Sequence, residues 1–236
     1  MKVLSIVQAR MGSNRLPGKA LIPIQGKAVL EHVIQRVRRI RRIDEIVIAT
    51  SVNKENDVIE RKAREMDVLC YRGSEEDVLD RFFKAAQLYD ADHVVRITAD
   101  CALLDPKVVD QIIELHLREG CDYTTNILKR TYPRGIVAEV FTRETLNKIA
   151  ALAIDAYHRE HVTTYIRDNQ EQFKVCNLEA PAEKFNPEWR WVLDTEDDLG
   201  FIRKVYSFLS RNDKIFDCES ILKLLKKYPD NLKLNR

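Results

Sequence analysis

Apolar positions along the first half of the chain change repeatedly from one spacing to another. Residues 3–9, VLSIVQA, form a short apolar run bounded by polar positions, and such a run predicts a buried strand. Val29, Leu30, Val33, Ile34 and Val37 then recur at helical spacing. The pattern continues as a strand over 46–49, a charged helix over 55–67 and a strand over 68–71. Val78, Leu79, Phe82, Phe83 and Ala86 line the next predicted helix, and 93–98 is a fourth strand. Asp105 and Pro106 supply an N-cap and a first-turn proline for a helix carrying Val108, Val109, Ile112 and Ile113. Alternation of this kind predicts an α/β fold, a mostly parallel mixed sheet sandwiched by helices. Ligands bind such sheets beyond the carboxyl ends of the strands.

The second half is less regular. Strands are predicted at 123–125, 137–141, 173–178 and 190–193, with a turn at Tyr132, Pro133, Arg134 and Gly135. Thr142 is placed to cap a helix starting at Arg143, and 156–167 reads as one further helix. Thr195 caps a last amphipathic helix with Leu199, Ile202, Val205 and Leu209 on one face. Residues 218–228 predict a short helix before a polar tail. With no repeat, low-complexity segment or Gly/Ser linker, one domain over 1–236 is expected. Residues 1–120 hold the regular alternation, and 121–236 the less regular half with the C-terminal helices.

Composition narrows the function classes. Lys and Arg total 39 against 37 Asp and Glu, and a net charge of +2 argues against a nucleic-acid or membrane partner. The most basic segment, Arg36 to Arg42, closes the first amphipathic helix, where cations complement the helix dipole. No apolar run reaches membrane-spanning length, and no secretory leader is visible before the first strand. The five cysteines are scattered and include no C-x-x-C pair. That pattern predicts reduced thiols, no zinc site and a cytoplasmic protein.

The segment after the first strand carries the chemistry. VQARMGSNRLPGKAL places Gly12, Ser13 and Gly18 among the cations Arg10, Arg15 and Lys19. A glycine-bearing loop can turn backbone N–H groups inward as an anion trap, and the cations then neutralise what it holds. A polyphosphate fits that description. Five residues separate Gly12 from Gly18-Lys19 and Ala20 has no hydroxyl, so a Walker loop is excluded. A dinucleotide fingerprint is absent as well. Beyond two later strands stand Asp100 and Asp194. Magnesium favours one or two carboxylates plus phosphate oxygens, so the pair opposite a cationic loop is the predicted metal site. The alternative is that each aspartate favours a turn or a helix start.

These residues resemble a known family. ARMGSNRLPGK, then RITADC at 96–101 and LDTED at 193–197, are similar to the sugar-acid cytidylyltransferases (CMP-sugar synthetases), with the spore-coat polysaccharide group the nearest. That group also has stretches like YRGSEEDVLDRF at 71–82 and REHV at 159–162. The resemblance implies a GT-A-like, Rossmann-like nucleotidyltransferase fold and transfer of CMP from CTP to a sugar or sugar-acid hydroxyl. It implies triphosphate contacts from Gln8, Ala9, Arg10, Gly12, Ser13, Arg15 and Lys19, and a magnesium cofactor on Asp100 and Asp194. Arg10, Arg15, Lys19 and Asp100 are then the catalytic group. Arg72 and Ser74 fall where related enzymes hold the pyrimidine or ribose; Ser74 reads equally as a helix cap. Arg134, Glu139, Glu160 and His161 are the expected acceptor contacts, with Arg130 and His158 nearby. The chain departs from the family pattern at Ala99, Ala102 and Val137, the last on the acceptor side. The resemblance also makes residues 1–120 the nucleotide-binding half and 121–236 the acceptor-binding half, and points to a homodimer. Rival readings are an enzyme using another nucleotide, a glycosyltransferase on the same fold and a non-catalytic sensor. The glycosyltransferase reading has only Asp90-Ala91-Asp92, which precedes a strand, as its metal motif.

Overall fold

The structure is a computed structural model and describes residues 1–210 and 215–228. The first half runs β1 (Val3–Gln8), a small hairpin β2 (Pro23–Ile24) and β3 (Lys27–Ala28), α1 (Val29–Val37), β4 (Glu45–Ser51) and α2 (Asp57–Glu65). It continues with β5 (Leu69–Gly73), α3 (Val78–Leu88), β6 (His93–Thr98) and α4 (Pro106–Glu119). The second half adds β7 (Tyr123–Thr125), β8 (Glu139–Thr142), α5 (Arg143–Leu152), α6 (Ala156–His161), α7 (Thr164–Asp168), β9 (Val175–Asn177), α8 (Glu196–Leu209) and α9 (Cys218–Lys227). The polar tail expected beyond α9 lies outside the described residues.

The strands form one sheet in the order β5-β4-β1-β6-β8-β7-β9. β5, β4, β1 and β6 are mutually parallel, β8 runs antiparallel to both neighbours, and β7 pairs parallel with β9. This is the expected mostly parallel mixed sheet. Its strands alternate between two buried faces, which is why their sequences read as continuous apolar runs. Val3 and Val7 of β1 enter the core shared with α1, α2, α4, α8 and α9. Leu4 and Ile6 enter the opposite core, shared with α3, α5 and α7. Each such buried aliphatic side chain contributes roughly 1.5–3 kcal/mol of transfer free energy. β1 lies mid-sheet between β4 and β6, so whatever follows Gln8 opens over the carboxyl end of the sheet's centre.

Three expectations are corrected. The predicted 156–167 helix is two short helices, because Val162 takes a φ of +53° with its side chain fully buried. Continuing α6 would swing Val162 out of its core and pull the Thr163 hydroxyl from Glu139, to which it donates at 2.5 Å. The predicted strand 190–193 keeps a single parallel bridge, Arg134 with Arg190. There Leu193 N–H donates to the Asp100 carbonyl at 3.0 Å, so the segment leaves the sheet to cross the loop after β6. The cysteines are not all reduced: Cys121 and Cys176 form a disulfide. Its half-cystines are 55 residues apart, and the parallel β7–β9 pairing helps bring them together. Cys70, Cys101 and Cys218 stay free.

Candidate active site

The loop after β1 closes on its own backbone. Ser13 and Gly18 N–H groups both donate to the Met11 carbonyl, at 2.9 and 3.0 Å. Gly18 has a φ of +67°, a conformation that costs a β-carbon-bearing residue about 1–2 kcal/mol. The turn delivers Lys19 into a one-turn 3₁₀ helix, Lys19–Leu21. From outside the loop, the fully buried Asn56 accepts the Met11 N–H at 2.8 Å. Its amide donates to Ser51 Oγ at 2.8 Å and Glu75 Oε2 at 3.3 Å. Glu75 in turn reaches Arg10 at 3.5 Å, and Glu160 of α6 reaches it at 3.4 Å.

This loop forms one wall of a cavity of about 290 Å³. Gln8, Ala9, Arg10, Ser13, Arg15 and Lys19 line it as expected, and Asp100 and Asp194 close the opposite side. Asn14, Ala20, Thr98 and Ala99 also line it and were not expected as contacts; they lie inside the basic-loop segment and the RITADC stretch, but being uncharged they carry no chemical signal of their own there. Gly12 is not in the lining; a side chain there would crowd the Glu55 carboxylate, at 3.2 Å from an added Cβ.

At the centre, the Lys19 ammonium donates to Asp100 Oδ2 at 2.6 Å and Asp194 Oδ1 at 2.8 Å. All three side chains are 17–18% exposed. Burial opposes the charge on Lys19, but the two carboxylates outweigh it and hold the ammonium above its ordinary value. Thr98 Oγ1 donates to the other oxygen of Asp100 at 2.6 Å. Arg15 donates to Asp194 Oδ2 at 2.9 Å, and Arg190 lies 3.6 Å from the same oxygen. Arg190 is held by the buried Asp198 at 3.0 Å. Asp198 also accepts the Asp194 and Thr195 N–H groups, at 3.0 and 2.9 Å, in the capping box that starts α8. The same cap therefore starts the helix and positions Asp194.

Two hard carboxylates already sharing one cation, beside a cationic loop, fit magnesium. Among the described residues no cluster of three or more His, Cys, Asp or Glu offers a fuller protein cage. Asp90 and Asp92 are placed elsewhere. They flank the amino end of β6, where Asp90 pairs with Arg143 at 2.7 Å and Asp92 accepts Lys2 N–H at 2.6 Å.

The remaining expected contacts divide. Arg72 does not line the cavity. Its guanidinium is committed to Asp57 at 2.7 Å, Glu60 at 2.8 Å and the Ser51 carbonyl at 3.0 Å, because β5 is the sheet's edge and α2 supplies the nearest carboxylates. Ser74 Oγ accepts the Asp77 N–H at 3.0 Å and so organises the entry to α3, which Asp77 caps. Glu139 is no open acceptor contact. It is 3% exposed, ion-paired with Arg96, and accepts Tyr123 Oη at 2.6 Å and Thr163 Oγ1. Burial opposes its charge, yet Arg96 and the two hydroxyls keep its carboxyl below the ordinary value. Arg96 links this buried carboxylate to the cavity by donating to Gln8 Oε1 at 3.2 Å. Arg134 and His161 are exposed, His161 edge-on to Tyr157, and His158 sits between Asp155 and Asp168. None of Arg134, Glu139, Glu160 and His161 lines the cavity, though Glu160 touches it through Arg10.

A model of the cytidylyltransferase family matches residues 4–226 of this chain. The spore coat polysaccharide biosynthesis protein SpsF of Bacillus subtilis is 35% identical over 233 residues, 97% of this chain and 95% of its own length. A 3-deoxy-manno-octulosonate cytidylyltransferase of Trichlorobacter lovleyi is 33% identical over 114 residues, 48% of this chain and 44% of its own. A solved cytidylyltransferase structure from Leptospira borgpetersenii superposes with a TM-score of 0.92 at 32% identity, covering 100% of this chain and 98% of that one. The match runs through the basic loop, Asp100 and Asp194 alike, and with it the chain belongs to the cytidylyltransferase family.

Proposed function

We propose that this cytidylyltransferase moves CMP from CTP to a hydroxyl of a sugar or sugar acid for surface-polysaccharide or glycan synthesis, with magnesium held by Asp100 and Asp194. The carrying observation is the Lys19 ammonium clamped between those two carboxylates inside the basic loop. The relatives named for spore-coat polysaccharide and octulosonate chemistry support the acceptor class.

In the reaction the acceptor oxygen forms a bond to the α-phosphorus, the bond to the β-phosphate oxygen breaks, and pyrophosphate leaves while the hydroxyl proton passes to solvent. Such transfers demand positioning and charge neutralisation more than covalent chemistry from the protein. Lys19, Arg15 and Arg10 face the cavity and absorb charge on the phosphates. The side chains of Ser13 and Asn14 on the same wall are placed to hold the chain of phosphates, while the Met11, Ser13, Gly18 and Lys19 N–H groups are taken up within the protein. Thr98 and the α8 cap keep Asp100 and Asp194 turned toward each other. Magnesium, when bound, supplies Lewis-acid polarisation of a phosphoryl oxygen. The reaction consumes CTP, which places the proposed activity in the cytoplasm.

The test is a panel of the four nucleoside triphosphates with magnesium, read by thermal shift, followed by pyrophosphate release with sugar acids. A shift with CTP alone, and pyrophosphate only when a sugar is added, is the expected result. A shift with UTP or GTP instead would move the chain to another base. Pyrophosphate-free consumption of a finished nucleotide sugar would mean a glycosyltransferase.

A further inference from the structure

The oxygens of the two cavity aspartates are not equivalent. Asp100 Oδ1 is taken by Thr98, and Asp194 Oδ2 by Arg15 and Arg190. The remaining pair, Asp100 Oδ2 and Asp194 Oδ1, both receive the Lys19 ammonium, at 2.6 and 2.8 Å. These are the oxygens a divalent ion shared by the two residues would take. We infer that Lys19 is the resident cation of the metal pocket, competing with the divalent ion for the same two oxygens until a triphosphate draws the ammonium onto its own oxygens. The inference rests on the nucleotidyl-transfer reading of this cavity.

Three physical features support it. Two partly buried carboxylates facing each other repel unless a cation lies between them, so the metal-free pocket requires one. An ammonium on a flexible four-carbon stem is a point charge that moves without moving backbone, unlike the forked guanidinium of Arg15. Its departure point is also its destination: Lys19 shares the cavity wall with Ser13 and Arg15 of the loop, so triphosphate oxygens there would offer equivalent negative charge. Metal and nucleotide are thereby coupled through one side chain, and each strengthens binding of the other.

The test is made without nucleotide, by titrating Mn²⁺ and following the free-ion electron paramagnetic resonance signal. Lys19→Met keeps the stem and removes the charge; Lys19→Gln serves if that variant folds poorly. Wild type is expected to bind Mn²⁺ weakly, and the Lys19 variant roughly tenfold more tightly at a single site. Adding Asp194→Asn to the variant is expected to abolish that gain. Equal Mn²⁺ affinity in wild type and variant would overturn the inference, and so would a gain that survives Asp194→Asn. A missing CTP thermal shift in the presence of magnesium would instead count against the nucleotide reading itself, since no nucleotide enters the Mn²⁺ comparison.

Discussion

His116 shows how a single buried side chain sets a pH limit on this fold. It is 1% exposed, bonded to Thr124 Oγ1 and to the His93 ring at 3.0 Å each. Burial, and then His93, push it from 6.5 down to about 3. An unfolded chain therefore takes up a proton near pH 6.5 that the folded chain refuses until about pH 3. The stability this histidine contributes is fully present above 6.5 and is lost as pH falls toward 3. His93 is lowered as well, by burial first, and acts in the same sense. Melting midpoints of His116→Gln should fall less steeply across that acid range than those of wild type; parallel slopes would contradict the assignment. At this scale the sequence is uneven. Lys19, Asp100 and Asp194 are legible because a charged residue next to a glycine turn or just past an apolar strand has few places to point. Arg72 obeys the same rule and faces Asp57 and Glu60 instead, because an edge strand offers its last residues a neighbouring helix as readily as a ligand. Glu139 reads as a polar acceptor contact, and its burial depends on Arg96, 43 positions earlier.

Among elements, α8 and the turn before β8 do the most to place the site. Gly135 has a φ of +99°, and an added Cβ would lie 2.5 Å from the Trp191 carbonyl carbon and oxygen. No side chain fits there, so Gly135→Ala must separate the Arg134–Arg190 bridge whose downstream end carries Asp194. Overpacking and left-handed strain together should cost about 1–3 kcal/mol. The variant is expected to melt lower and to shift tryptophan emission, since Trp191 is fully buried at that contact. An unchanged melt and spectrum would contradict the close approach. The helices with strong local signals, α4 behind Asp105-Pro106 and α5 behind Thr142, appear where their caps predict. The 156–167 segment breaks for a non-local reason, the burial of Val162 and the Thr163–Glu139 contact, which no window of that segment contains.

For the whole molecule, the alternation of periods made the α/β class and the carboxyl-end location of the site readable from sequence. The order of the second-half strands was not, because β8 enters between β6 and β7 out of chain order. The β7–β9 pairing that joins Cys121 to Cys176 was hidden for the same reason. Thiol titration of denatured, unreduced protein should find three free thiols of the five cysteines, and five only after reductant. Five at the outset would contradict the disulfide. Its presence is unusual for a reducing compartment. A disulfide closing a loop of this length stabilises by about 4 kcal/mol in the chain-entropy account, so reductant should also lower the melting midpoint.

The central claim is that the loop after β1 and the two aspartates form one charge-neutralising site for a nucleoside triphosphate. Pyrophosphate release at saturating CTP, magnesium and the productive sugar, compared among wild type, Lys19→Ala and Asp100→Ala, tests it most directly. A fall of roughly a hundredfold or more in each variant, with folding intact, is the predicted result; turnover near that of wild type in either would contradict the account.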